Sequence, residues 1–461
     1  MMKTLLLRRL FGTDTPHGCT FTAATPRRPH RSPSPMSDPT NPGTCVAIIG
    51  GATAGAEAAG KLAESGAVCV VFEQNDRPYG KVEDGLPRWH VGLRRKEYDQ
   101  IDAKLSGDRI HFVPRTTIGR EVSFDDLARL WDFDMVVLAN GAWRDRPLPV
   151  DGADDWVGRG LVYQNPLIYW FNHYHEAGYR GPTYEPTDDA VVVGGGLASI
   201  DVAKLLQLES TKRRLTERGL SVDIIEMEGD GIPATLAKHG LCWDDLGLWG
   251  CTLYYRRRIE DMPLAEIPEG ASAEQVGKIE VVRRRILEKA QGKFLFRVEP
   301  LSTPVGLVAS GDRLTGLRFA RTRLDEWSRA VVVPDSEKEV ASRFIVSSIG
   351  SIPEPIPGLA MEGELLKLAD PENARLADHE NVYGCGNVVT GKGNLVASRK
   401  HSAKIAGYLT KRGIAAREGT DTDRDARNAR LLERVRERQR AVGYDGDYAA
   451  WIRGVTPEGF V

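Results

Sequence analysis

No two of the six cysteines (Cys19, Cys45, Cys69, Cys242, Cys251 and Cys385) are separated by only two residues. That spacing excludes a Cys-x-x-Cys redox pair, a four-cysteine zinc ribbon and the cysteine-rich runs that hold iron–sulfur clusters. Any redox chemistry must therefore come from a bound cofactor, and the expected compartment is reducing, the cytoplasm. Nor does any apolar run reach the ~18 residues that cross a bilayer, so no membrane insertion is expected. The longest runs, such as Cys45–Ile49 and Ala190–Val193, are strand-sized and end in glycines. Net charge is nearly lacking as well: 62 Lys plus Arg against 64 Asp plus Glu leave −2. No global field draws nucleic acid or an anionic membrane, and no nucleic-acid motif is present. What is present is a 461-residue chain, 41% hydrophobic, which allows about two or three domains with cores of their own.

The first 43 residues stand apart. They are rich in Arg, Pro, Ser and Thr, carry only Asp14 and Asp38 as acids, and have prolines at 16, 26, 29, 33, 35, 39 and 42. This composition cannot build regular structure and is expected to be disordered. An Arg-rich targeting presequence and an upstream start, with Met36 as the true beginning, are both open.

From Thr44 the pattern becomes α/β. Cys45–Ile49 runs into Gly50-Gly51-Ala52-Thr53-Ala54-Gly55 and a helix-like stretch from Ala56 to Ser65. A second apolar run, Ala67–Phe72, ends at Glu73, about 20 residues beyond the glycines, where a βαβ dinucleotide fingerprint places its acid. In such a unit the glycines let backbone approach a pyrophosphate, the helix N-terminus stabilises its charge, and the acid accepts from ribose hydroxyls. Ala52 stands where the middle glycine is usual and slightly crowds that approach.

A second copy follows. Ala190–Val193 leads into Gly194-Gly195-Gly196-Leu197-Ala198-Ser199 and the helix-like Ile200–Leu208, with small Ser199 in the third glycine's place. Ser221–Met227 reads as the next strand, followed by an insertion to Gly250. Then comes Cys251-Thr252-Leu253-Tyr254-Tyr255-Arg256-Arg257-Arg258. Arginines just past a strand can grip a 2′-phosphate bidentately, or form a solvated surface run. Two turns imply two dinucleotides, most economically FAD and NADPH.

This order resembles the two-dinucleotide-domain flavoprotein reductases, and is most similar to the adrenodoxin reductase group of ferredoxin–NADP reductases and the related glutamate synthase small subunit. The resemblance spans about 44–410. It is carried by Pro78-Tyr79-Gly80-Lys81-Val82 with Trp89-His90, similar to the family's flavin-side loop, and by Leu138-Ala139-Asn140-Gly141-Ala142. Leu167–Asn172, Tyr255-Arg256-Arg257 with Met262-Pro263, and Asn381–Asn387 complete it. The resemblance implies two Rossmann-like domains, the NADP domain (163–343) inserted in the FAD domain (44–162 and 344–410), then a charged helical tail (411–461). It implies FAD contacts at Gly50, Gly51, Ala52, Ala54, Gly55, Glu73, Gly80, Lys81, Gly141, Gly386, Asn387, Gly393 and Asn394, and NADP contacts at Gly194, Gly196, Leu197, Ser199, Arg256 and Arg257.

The activity so implied is hydride transfer from NADPH to FAD, then single electrons to a ferredoxin-type iron–sulfur protein. An electron-input subunit of a larger complex and a noncatalytic NADP-binding redox regulator are the alternatives. Asn387 replaces the family's acid, so that contact would be neutral, and the cluster-bearing extension of glutamate synthase small subunits is missing. His90 is a catalytic candidate near the acceptor side of the flavin, or packs structurally beside Trp89. Glu260 and Asp261 orient the nicotinamide or balance charge. Basic runs at Arg94-Arg95-Lys96, Arg283-Arg284-Arg285 and Arg399-Lys400 are candidates for an acidic acceptor or are solvated helix faces. Residues 424–440 read as a solvated helix, and Tyr444, Tyr448 and Trp451 suggest that the tail docks.

Overall fold

The computed structural model describes residues 43–391, 394–412, 421–457 and 460; the expectations for residues 1–42 and for Gly393 fall outside them. In chain order the elements that matter are β1 (Cys45–Ile49), α1 (Thr53–Glu64), β2 (Val68–Phe72), α2 (Lys81–Asp84), α3 (Val91–Leu105), β3 (Ile110–Val113) and β4 (Met135–Leu138). There follow β5 (Leu161–Tyr163), α4 (Gln164–His173), β6 (Val191–Gly194), α5 (Leu197–Glu217), α6 (Ile224–Asp230), β7 (Thr252–Tyr255), α7 (Ala273–Phe294) and β8 (Arg297–Pro300). The last part holds β9 (Ser302–Ser310), β10 (Arg313–Leu324), β11 (Ala330–Val332), β12 (Lys338–Ala341), β13 (Ile345–Ser348), β14 (Leu368–Asp370), β15 (Arg375–Leu376), β16 (Val382–Gly384), α8 (Leu395–Arg412), α9 (Asp421–Ala441) and α10 (Tyr448–Val455).

β1 reads as an unbroken apolar run because both its faces are covered. Val46 and Ile48 pack toward Ala56, Ala59 and Leu62 of α1. Cys45, Ala47 and Ile49 point the other way, among Phe124, Leu127, Leu431 and Val435. Around β1 a seven-stranded sheet forms in the order β14-β15-β16-β4-β1-β2-β3. The chain leaves this sheet after β4 and returns at β14, so the second sheet is an insertion. That second sheet is wholly parallel, β5-β13-β6-β7-β8. It takes in β5 and β13 and therefore extends past 163–343 at both ends, because buried β13 inserts between β5 and β6. An antiparallel four-stranded sheet, β9 to β12, in which β10 pairs with the other three, packs on it with Phe319 stacked on Tyr254 at 4.1 Å.

Two sequence expectations fail here. Ser221–Met227 is not a strand: Asp223 caps α6, its Oδ1 accepting from the N–H groups of Ile225 and Glu226 at 2.8 and 2.9 Å. Local side-chain capping outweighs a short apolar run. Nor is α9 merely solvated. It buries Leu431 and Val435, pairs Arg427 with Asp134 at 2.7 Å and donates from Gln439 to the Phe112 carbonyl. No described helix is long and apolar enough to cross a membrane.

Candidate functional site

The first glycine turn is closely packed. Gly50 has φ +97, and its N–H donates to Phe72 O at 2.8 Å. A Cβ on Gly55 would stand 1.8 Å from the Gly50 carbonyl oxygen, so only glycine lets α1 approach the turn this closely. Glu73 is buried and accepts from the N–H groups of Gly51 at 2.8 Å and Asn75 at 3.0 Å. Burial pushes its carboxyl up to about 7, although those donors pull it down. Ala52 has its counterpart in Gly80: a Cβ on Gly80 (φ +52) would lie 2.8 Å from that of Ala52. The missing middle glycine is thus matched by a glycine on the opposite loop. Gly386 (φ +69) closes on Ala54 in the same way, and Gly141 turns the chain at φ +70.

A cavity of about 330 Å³ opens beside this turn. Gly50, Ala52, Glu73, Gly80 and Asn140 line it. Residues 116–120, Trp143 and residues 354–357 also line it, and the sequence reading missed them. Thr53 Oγ1, Asn140 Oδ1 and Asn387 Oδ1 are buried without hydrogen-bond partners among the described residues. Such groups are costly unless a polar ligand or water meets them. The glycine cradle, the buried acid and Asn140, which lines the cavity, fit an adenine dinucleotide.

The second turn is open. Gly194 admits no side chain, since its Cβ would stand 2.3 Å from both Ser199 Oγ and Ser348 O; Ser199 Oγ donates to Ser348 O at 2.8 Å. The Tyr255 ring lies against Gly195. Yet Leu197, on the first turn of α5, is 52% exposed, and a Cβ on Gly196 would meet nothing within 4 Å. Arg256 is exposed and makes no ion pair among the described residues, whereas Arg257 lies 3.6 Å from Asp261 and Arg258 3.0 Å from it.

The sequence model of the pyridine nucleotide-disulphide oxidoreductases matches residues 44–235. Over those residues the chain is similar to this family. It is similar to cindoxin reductase of Citrobacter braakii, 31% identical over 205 residues that cover 42% of each chain. It is also similar to the small chain of glutamate synthase [NADPH] from Escherichia coli, 25% identical over 393 residues, 80% of this chain and 69% of that one. Among solved structures, FprA from Mycobacterium tuberculosis in complex with NADPH superposes with a TM-score of 0.64 at 17% identity, covering 86% of this chain and 90% of the other. The match to cindoxin reductase spans less than half of that protein.

The loop and helix that carry Lys81 and His90 lie at the junction of the two sheets. Lys81 Nζ donates to Asn165 Oδ1 at 3.0 Å and Ser351 Oγ at 2.9 Å, and burial pushes its ammonium down to about 8 against the opposing pull of Asp145. His90 Nε2 stands 3.6 Å from Asp201 Oδ2 on α5. Burial resists the charge of Asp201, but Lys204 and His90 outweigh it and hold the carboxyl below the ordinary range. Lys204 also reaches Glu228 at 2.8 Å and lies over the Trp89 ring. Glu260 is not brought to His90; it pairs with Arg284 on α7. Asn394 caps α8, accepting from Ala397 N–H at 2.7 Å, and reaches Glu266. Each basic run loses a member to the interior: Arg94 bonds Tyr98, Arg283 bonds the carbonyls of Ala265 and Glu260, and Arg399 pairs with Glu97. Arg95, Lys96, Arg284, Arg285 and Lys400 remain exposed.

Proposed function

We propose that this chain is an FAD-containing oxidoreductase that draws a hydride from NADPH and delivers electrons singly to a ferredoxin-type iron–sulfur protein. The observation that carries the reading is the pairing of one enclosed dinucleotide cradle, with its buried acid and the unmet Oδ1 of Asn140, with a second, open one. When bound, FAD supplies the two-electron acceptor and one-electron donor. In this reading Glu73 holds the adenosine ribose, Gly50 and Gly51 let backbone approach the pyrophosphate, and Asn140 and Asn387 offer neutral acceptors. Gly196, Leu197 and Ser199 open the helix that receives the coenzyme pyrophosphate. Exposed Arg256 reads the 2′-phosphate, with Arg257 partly occupied by Asp261. His90, its Nε2 held 3.6 Å from Asp201 Oδ2, is the candidate catalytic group on the acceptor side of the flavin. Lys81 acts through the domain junction, and the exposed Arg95, Lys96 and Lys400 offer charge to an acidic acceptor.

The test is an absorption spectrum of purified protein, then anaerobic titration with NADPH and with NADH. A flavin spectrum bleached preferentially by NADPH is expected. A colourless protein that cannot be reconstituted with FAD would overturn the reading and favour an NADP-binding regulator. The likeness to a glutamate synthase small chain supports a second reading, an electron-input subunit; its mark is a stable partner on co-purification and poor turnover alone.

A further inference from the structure

The two loops that wall the cavity are held together from outside. Gln74 and Gly80 lie on the loop after β2, and Thr116 to Arg120 on the loop after β3. At their bases the loops are joined by backbone hydrogen bonds, from Thr116 N–H to Glu73 O at 2.8 Å and from Arg115 N–H to Asn75 O at 3.2 Å. Trp451 of α10 adds a further tie from outside. Its Nε1–H donates to Asp76 O at 2.8 Å, while the Arg115 guanidinium lies 4.9 Å over its ring and itself pairs with Asp76. Arg115 is a non-glycine residue at φ +51, a conformation that persists where the surroundings dictate it.

Neighbouring tail residues grip the same loops. Arg77 donates to Val455 O at 2.6 Å and lies 4.7 Å over the Phe460 ring, which stacks on Tyr98 at 5.3 Å. Arg438 Nε donates to Thr116 Oγ1 at 2.9 Å. Tyr448 and Tyr79 both donate to Asp102, at 2.6 and 3.1 Å. The contacts converge on the backs of the cavity loops, whereas Leu431 of α9 packs on the sheet instead.

We propose that Trp451 is a positioning residue whose grip on both loops sets how slowly the cavity's dinucleotide leaves. This rests on the reading of that cavity as the FAD site. Opening the rim requires the two loops to part, and the indole opposes that by bonding one and stacking on the other. The effect should fall on dissociation rather than association.

The experiment loads the full chain with FAD, removes free flavin, and follows release by fluorescence well below the melting temperature. Trp451→Ala should release flavin about tenfold faster than wild type, and Trp451→Phe, which keeps the ring but not the donor, about threefold faster. Leu431→Ala should lower the melting temperature and leave release unchanged, which a purely structural tail would not do. Release from both Trp451 variants within about twofold of wild type overturns the proposal, as does equal acceleration by Leu431→Ala. Should Trp451→Ala fail to fold, Trp451→Phe decides. Wild-type protein that takes up no FAD overturns the underlying reading and the proposal with it, so the two failures are distinguishable.

Discussion

The two glycine turns follow the same strand–turn–helix plan, yet corresponding positions have opposite surroundings. Thr53 is 6% exposed where Leu197 is 52% exposed, and Ala54 is buried where Ala198 is open. The difference comes from the returning chain. α8 lies along α1, with Ser402 Oγ donating to Ala54 O at 2.6 Å, and Gly386 closes on Ala54. Among the described residues nothing equivalent covers the start of α5. A covered turn suits a resident ligand, and an uncovered one suits a ligand that arrives and leaves each cycle.

The comparison breaks most readily at the glycines. Gly55→Ala drives a methyl into the Gly50 carbonyl and should cost about 3 kcal/mol or more, read as a fallen melting temperature and lost flavin. Gly196→Ala, with open space around its Cβ, should cost about 1 kcal/mol or less. Equal losses would mean the two turns are not differently enclosed.

A second effect concerns what ties the first site's loop to the second domain. His173, at the end of α4, contacts Asp84 at 3.1 Å and Glu176 at 2.8 Å. Burial alone would lower its imidazolium, but these carboxylates prevail and push it up from 6.5 to about 9. A group raised in the folded state stabilises fully below its unfolded value, and the contribution fades as pH rises through about 9. Its ceiling is about 3 kcal/mol. Denaturant unfolding from pH 6 to pH 10 should show this decline in wild type and a flatter profile in His173→Gln. Next in size, Arg256→Ala with Arg257→Ala should raise the KM for NADPH about 10- to 100-fold, the worth of charge-assisted hydrogen bonds, and barely alter that for NADH. Equal effects on both coenzymes would remove the 2′-phosphate role.

How much of this was legible differs between the halves. Gly50, Gly55 and Glu73 were readable because a βαβ unit fixes their spacing locally. The match of Ala52 to Gly80 was not, because it arises only when two loops meet. Residues 116–120 and 354–357 carry no motif of their own and reach the cavity through tertiary closure alone. Charge runs misled for a related reason. A sequence shows that Arg283 is charged, but not that backbone carbonyls of Ala265 and Glu260 already take up its donors.

The smallest effect isolates the chemistry of the enclosed site. Burial raises Glu73 to about 7, whereas ribose hydroxyls donating to it favour the ionised form. Binding of FAD should therefore expel a proton whenever the pH lies below about 7. Affinity should fall as the pH drops, by at most about tenfold per unit, or ~1.4 kcal/mol. Glu73→Gln, which cannot titrate, should bind more weakly at pH 8 and lose the slope. The second turn ends its next strand in arginines rather than a buried acid, so NADH binding there should be flat over the same range. A slope in both sites, or in neither, would show that Glu73 is not what distinguishes them.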